Sequence, residues 1–200
     1  MPATDGHGRQ PLAPSSSLFN VPNSLSVARA LAGPVVLALI TAGTDAALYS
    51  ALGLMFLAEL SDLADGEIAR RYDQETEIGR FVDPVCDSVY HLSVFLAFLA
   101  MGWMPAWMLF VLYGRELVVP YLRTFARQAG HDLQVRASGK TKAAVHAVVQ
   151  IGIVAIALGL FGPKLTIDGV MPTILLLVAI GASIYSLADY VAAVYRLLRS

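Results

Sequence analysis

Cysteine is almost absent from this 200-residue chain: the one that occurs, Cys86, has no partner for an intrachain disulfide. The fold must therefore be held by packing, and the redox state of its compartment is left open. Charge is scarce as well. Only 14% of residues are Asp, Glu, Lys or Arg, against 56% apolar, and mean hydropathy is +0.63. A composition so poor in charge excludes an ordinary water-soluble domain. There is no basic stripe and no nucleic-acid-binding motif, so nucleic acid is not an expected partner. The net charge of -1 excludes nothing until the charges are placed along the chain.

What is present is a series of apolar stretches long enough to cross a hydrocarbon core of roughly 30 Å. They are separated by short polar breaks, which excludes a single-segment anchor. Hydropathy predicts membrane helices at 24–43, 47–64, 79–102, 105–127, 141–161 and 170–195. Residues 1–18, rich in Ser, Pro and Gly, are expected to be a disordered tail without a signal-peptide core, and 19–200 a single membrane domain. Six crossings place both termini on one side. Arg9, Arg29, Arg70, Arg71, Arg80, Arg123, Arg127, Arg136, Lys140, Lys142, Arg196 and Arg199 fall at that side, whereas Lys164 alone sits in an opposite loop. By the positive-inside rule both termini are expected in the cytoplasm. The expected fold class is thus an all-α integral membrane protein of six transmembrane helices, with a polar metal-binding cavity at the cytoplasmic side.

Acidic residues interrupt the cytoplasmic halves of the second and third stretches: Glu59, Asp62 and Asp65 in one, Asp83 and Asp87 in the other. A carboxylate at the bilayer centre costs roughly 2.5–3.5 kcal/mol, so such a group needs metal, cations or a wet cavity. Salt bridges to Arg70, Arg71 and Arg80 are the bland alternative. Asp62 and Asp65 are three apart, Asp83 and Asp87 four apart, so each pair projects from one helix face. Two such faces can share divalent ions. Oxygen donors without a His or Cys pattern suit Mg²⁺ or Mn²⁺ and disfavour zinc. Gly66, Ala69 and Gly79 form small-residue strips that allow close approach of a phosphate chain or of a neighbouring helix.

Residues 62–87 read DLADGEIARRYDQETEIGRFVDPVCD, which places Asp62, Asp65, Gly66, Ala69, Arg70, Gly79, Asp83 and Asp87 in the pattern DxxDGxxARx8GxxxDxxxD. This resembles the signature of the CDP-alcohol phosphotransferase family at every fixed position. The resemblance implies a six-helix membrane enzyme, usually a homodimer, that binds a CDP-alcohol at the cytoplasmic side through its diphosphate and a metal centre of two Mg²⁺ or Mn²⁺ ions. It implies Asp62, Asp65, Asp83 and Asp87 as the carboxylates of that centre. Asp87 would also be the general base that takes the proton of the acceptor hydroxyl as CMP leaves. Asn23, Asp62, Gly66, Ala69, Arg70 and Gly79 would bind the CDP-alcohol. A bacterial cytoplasmic membrane with the site facing inward is the matching location.

Outside the signature, NVPNSLSVARALAGP (20–34), GRELVVPYLRTFARQAG (114–130) and SGKTKA (138–143) are similar to the phosphatidylglycerophosphate synthase branch. That likeness implies CDP-diacylglycerol as donor and glycerol 3-phosphate as acceptor. Arg115, about two turns inside the membrane, with Arg123, Lys140 and Lys142, is the candidate pocket for the acceptor phosphate. Glu116 could instead neutralise Arg115 internally, and loop lysines often contact headgroups. The branch usually carries lysine directly after the last aspartate, where this chain has Ser88. A related enzyme with another acceptor, such as inositol phosphate, serine or choline, is therefore the second reading, and a membrane cation carrier a remote third. His91, one turn beyond Asp87, either relays a proton or only hydrogen-bonds within the bundle, and Asp189 and Tyr185 are expected to make structural bonds.

Overall fold

The computed structural model describes residues 21–72, 79–130, 133, 136–162 and 165–197; side chains are described from Ser24 onward, apart from 63–72 and 79–82. The expected tail at 1–18 lies outside these residues. Among the described residues there are six helices and no strand: α1 (Val21–Thr41), α2 (Asp45–Tyr72), α3 (Gly79–Ala100), α4 (Ala106–Gln128), α5 (Ala137–Ala157) and α6 (Val170–Leu197). Three of them are long and apolar enough to cross a membrane by length and composition: α1 from Ser24, α5 and α6. Charged residues dilute the other three, which is the same feature that marks them as walls of a polar site.

Three boundaries differ from the hydropathy reading by four residues or more, one of them the end of α5 at Ala157 where 161 was expected. α2 continues to Tyr72, past the expected end near 64. Hydropathy marks where a helix leaves the hydrocarbon; it does not mark where the helix ends. The following residues Glu67, Ala69, Arg70 and Arg71 are good helix formers, and one glycine is too weak a breaker to stop them. At 28 residues α2 is about 42 Å long, well beyond the hydrocarbon thickness. α5 starts at Ala137, four residues early. Its cap, Arg136, is extended and tied to α6: its Nε and Nη2 donate to Asp189 at 2.6 and 2.7 Å, and its backbone N–H donates to Tyr190 Oη at 3.1 Å. The carboxylate raises the Arg136 guanidinium further above its ordinary value. Ser138 Oγ also donates to Asp189, at 2.6 Å, so Asp189 makes the structural bonds expected of it, whereas Tyr185 is exposed.

The helices pack as two groups, α1–α2–α3 and α4–α5–α6, joined where α3 meets α4 and α5 and where α2 meets α5. Val36, Ile40, Met55, Phe95, Phe98, Ile153 and Leu176 fill the core between the groups and are buried. Leu31, Leu57, Phe110, Val148 and Val170 point outward with more than half of their surface exposed, as lipid-facing residues do. Pro34, Pro84 and Pro120 lie inside helices, which membrane helices tolerate better than soluble ones. The tightest crossing joins α1 to α3. A Cβ on Gly33 would lie 2.9 Å from Ser93 Oγ and 3.1 Å from Tyr90 Cα. That glycine brings α1 close enough to set Ser26 and Arg29 against the acids of α2 and α3.

Candidate active site

Residues from all six helices, Pro84 and Pro120 among them, close a cavity of about 230 Å³ at the ends of α2 and α3 that carry the acids. On one side stand Asp62 of α2 and Asp83 and Asp87 of α3, with Arg29 of α1 among them. Arg29 forms an ion pair with Asp62 through Nη1. Ser26 Oγ donates to Asp83 Oδ1 at 2.6 Å. Asp87 Oδ1 lies 3.2 Å from His91 Nε2. The two residues of α1 are three apart, so one face of that helix serves both acidic helices. Asp65, Gly66, Ala69, Arg70, Gly79 and Asn23 lie on helical backbone, but their side chains are outside the described residues.

The opposite wall is cationic. Arg115, Arg123, Lys140 and Lys142 all line the cavity, so the four candidates named for an acceptor phosphate come together. Glu116 does neutralise Arg115, with Arg115 Nη1 at 3.1 Å from both carboxylate oxygens, but it is shared. Lys142 Nζ is 2.7 Å from Glu116 Oε1, and Ser88 Oγ donates to Oε2 at 2.6 Å. Arg115 Nη2 also donates to Ser186 Oγ at 2.9 Å. Arg115, Glu116 and Lys142 are buried at 9%, 8% and 2% exposure, so this is a desolvated cluster with one anion for two cations. Among the described residues, Arg115 Nε and Arg123 Nε are buried donors with no hydrogen-bond partner. An anion entering the cavity would satisfy them.

The three aspartates facing the cavity form an oxygen donor set that fits a hard divalent cation. Among the described residues no three His, Cys, Asp or Glu side chains are drawn together closely enough to hold an ion as they stand. Asp62 and Asp83 are instead engaged by Arg29 and Ser26, and the fourth carboxylate, Asp65, is not among the described side chains. The contributions of Ser26, Gln150, Ser186 and Tyr190 to the site were not read from the sequence. Ser26 had a usable signal, its three-residue spacing from Arg29.

A bundle of long apolar helices enclosing an acid-and-cation cavity defines a helical membrane protein equipped to handle phosphorylated groups. The chain belongs to the CDP-alcohol phosphatidyltransferase family, whose sequence model matches residues 19–198. It is 28% identical over 186 residues to the CDP-diacylglycerol–glycerol-3-phosphate 3-phosphatidyltransferase of Pseudomonas fluorescens, covering 91% of this chain and 93% of that protein. It is 31% identical over 191 residues to a Mycobacterium tuberculosis protein described as "Probable phosphatidylglycerophosphate synthase", covering 92% and 86%. A CMP-forming cardiolipin synthase of Streptomyces coelicolor is 32% identical over 117 residues, only 57% of this chain and 54% of that protein.

Proposed function

We propose that this enzyme transfers the phosphatidyl group of CDP-diacylglycerol to glycerol 3-phosphate with release of CMP. The observation that carries the reading is the single cavity in which Asp62, Asp83 and Asp87 face Arg115, Arg123, Lys140 and Lys142. A diphosphate and a phosphorylated alcohol both need cationic partners, and transfer between them needs both at one place. Likeness to the Pseudomonas and Mycobacterium proteins over nearly the whole chain supports the same acceptor.

In this reading the cationic wall holds the acceptor phosphate. Arg115 is oriented by Glu116 and Ser186, which leaves Nε for the ligand. The acceptor hydroxyl is thereby aimed at the phosphorus of the CDP-lipid that carries the diacylglycerol. A new P–O bond forms to the hydroxyl oxygen, the P–O bond to CMP breaks, and Asp87 takes the hydroxyl proton. Asp62, Asp65 and Asp83, with Asp87, would hold Mg²⁺ or Mn²⁺ ions, whose chemistry is to neutralise charge on the diphosphate oxygens. Asn23, Gly66, Ala69, Arg70 and Gly79 would line the nucleotide side. Six membrane crossings with both termini and the site in the cytoplasm of a bacterium, a homodimeric state, and residues 19–200 as one catalytic domain complete the proposal. The distribution of basic residues supports the orientation.

Ser88 supports keeping a second acceptor in view. It gives Glu116 a neutral partner at 2.6 Å where a lysine would add another cation to the wall. Purified protein offered CDP-diacylglycerol with glycerol 3-phosphate, inositol phosphate, serine or choline in separate reactions decides the point. Phosphatidylglycerophosphate and CMP are the expected products. A product formed only with another alcohol overturns the acceptor, and no CMP with any of them overturns the activity.

A further inference from the structure

Behind Asp87 a short polar chain runs into the apolar core. Gln150 of α5 is fully buried, at 0% exposure. Its Nε2 donates to the backbone carbonyl of His91 at 2.8 Å, and its Oε1 lies 2.8 Å from His91 Nδ1. The first bond settles which end of the amide is which, because the flipped amide would set two oxygens against each other. Nδ1 therefore donates to Oε1, and Nε2, 3.2 Å from Asp87 Oδ1, donates to it in the imidazolium form, the one form with a proton on both ring nitrogens. The ring packs against Tyr90 and His146, with centroids 5.2 and 5.9 Å away. Burying a primary amide in an apolar bundle is costly unless both its ends are bonded, and here residue 91 satisfies them both.

Asp87 needs such a restraint. Lys142 and Arg29, from α5 and α1, line the same cavity, and each is an alternative partner toward which the carboxylate could swing. The contact with His91 engages one carboxylate oxygen, Oδ1, while the side chain remains 27% exposed to the cavity. We propose that His91, oriented by Gln150, is a positioning residue that holds Oδ1 of Asp87 so that the carboxylate presents its other oxygen to the acceptor hydroxyl. This rests on the reading above in which Asp87 receives the hydroxyl proton. A misdirected base lowers the rate of transfer without weakening either substrate.

The test uses the full chain in detergent, the acceptor that the wild type uses, and His91→Phe, Gln150→Leu and the double variant. Both single changes put an apolar side chain of similar shape in place of a polar one and add no charge. CDP-diacylglycerol bound per mole of folded protein is measured first, and kcat is expressed per binding site, so that a loss of folded enzyme is not read as slow catalysis. Each single variant should lower kcat about ten- to a hundredfold while both KM values stay within about twofold, the scale seen when a side chain that orients a functional group is removed. The double variant should be no slower than the slower single, because both act through one chain of bonds. Single variants with wild-type kcat per site, or losses that multiply in the double variant, overturn the positioning role. If His91→Phe fails to fold, the kcat and KM of Gln150→Leu decide alone. No CMP release by the wild type with any acceptor sinks the underlying reading instead, an outcome visible before any variant is made.

Discussion

Lys142 Nζ and Arg115 Nη1 meet the same oxygen of Glu116, at 2.7 and 3.1 Å, so one buried carboxylate from α4 organises cations from two helices. The arrangement solves two problems together. Unpaired, each cation would be expensive to bury, yet a full set of carboxylate partners would leave no attraction for a substrate. One carboxylate for two cations keeps the wall ordered and still net positive. Arg123 and Lys140, which line the same cavity, extend that surplus toward its mouth.

Removing the shared carboxylate should therefore cost stability before it costs specificity. Glu116→Leu strands two buried cations and is expected to destabilise the protein by about 3–5 kcal/mol, the range for breaking a buried pair from one side. Glu116→Gln retains a group that can accept from Ser88 and should lose less. Melting in a single detergent compares them. A Leu variant that melts with the wild type would show that the cations find other partners.

On the cation side, Lys142→Met keeps the stem and removes the charge. Its KM for glycerol 3-phosphate should rise about tenfold or more, as the loss of a charge-assisted hydrogen bond requires, while that for CDP-diacylglycerol changes little. Arg115→Ala should shift the two constants in the same order. A rise confined to CDP-diacylglycerol would reassign the cationic wall to the diphosphate.

Much of this site was legible in the sequence because its chemistry is written in spacing. Asp62, Asp83 and Asp87 occur at intervals that put acids on single helix faces, and the structure sets all three around one cavity. Arg115, Arg123, Lys140 and Lys142 were identifiable as a group because charge inside an apolar helix demands a reason. Partnership was not legible. Whether Glu116 belonged to Arg115 or Lys142 depends on how α4 and α5 cross, and no local pattern encodes that. Gln150 and Ser26 look like ordinary polar residues in the sequence; their meaning comes from the helix opposite. The end of α2 was misplaced for a different reason, since hydropathy senses the bilayer and is blind to a helix that continues into water.

The crossing of α1 on α3 offers a test of how tightly the site depends on packing. In Gly33→Ala the new methyl meets Ser93 Oγ at 2.9 Å and both Ser93 Cβ and Tyr90 Cα at 3.1 Å. A backbone atom cannot step aside, so α1 must move, at about 1–3 kcal/mol for overpacking of this kind. Because Ser26 and Arg29 ride on the same helix, transfer activity should fall together with melting temperature. Adding Ser93→Ala removes the shortest contact and should restore part of both. No change in melting for Gly33→Ala would mean that the two helices do not approach this closely.

The two aspartates of α3 should fail in different ways when made neutral. Asp83 Oδ1 accepts from Ser26, and asparagine retains an oxygen for that bond, so Asp83→Asn should fold normally while losing the anionic charge that a metal ion requires. Transfer should then be abolished at every concentration of added Mn²⁺ or Mg²⁺. Asp87→Asn removes the proton acceptor and leaves the other carboxylates facing the cavity. Transfer should fall by roughly 10²–10⁴-fold, the usual worth of a positioned base, with CDP-diacylglycerol still bound. Binding to membranes carrying each variant, measured alongside CMP release over a metal titration, separates the two. Asp87 is also proposed to share the ion, so some change in metal response is expected; if Asp87→Asn lost lipid binding as well, and its activity returned at high metal concentration, its effect would run through the ion and the assignment as proton acceptor would fail.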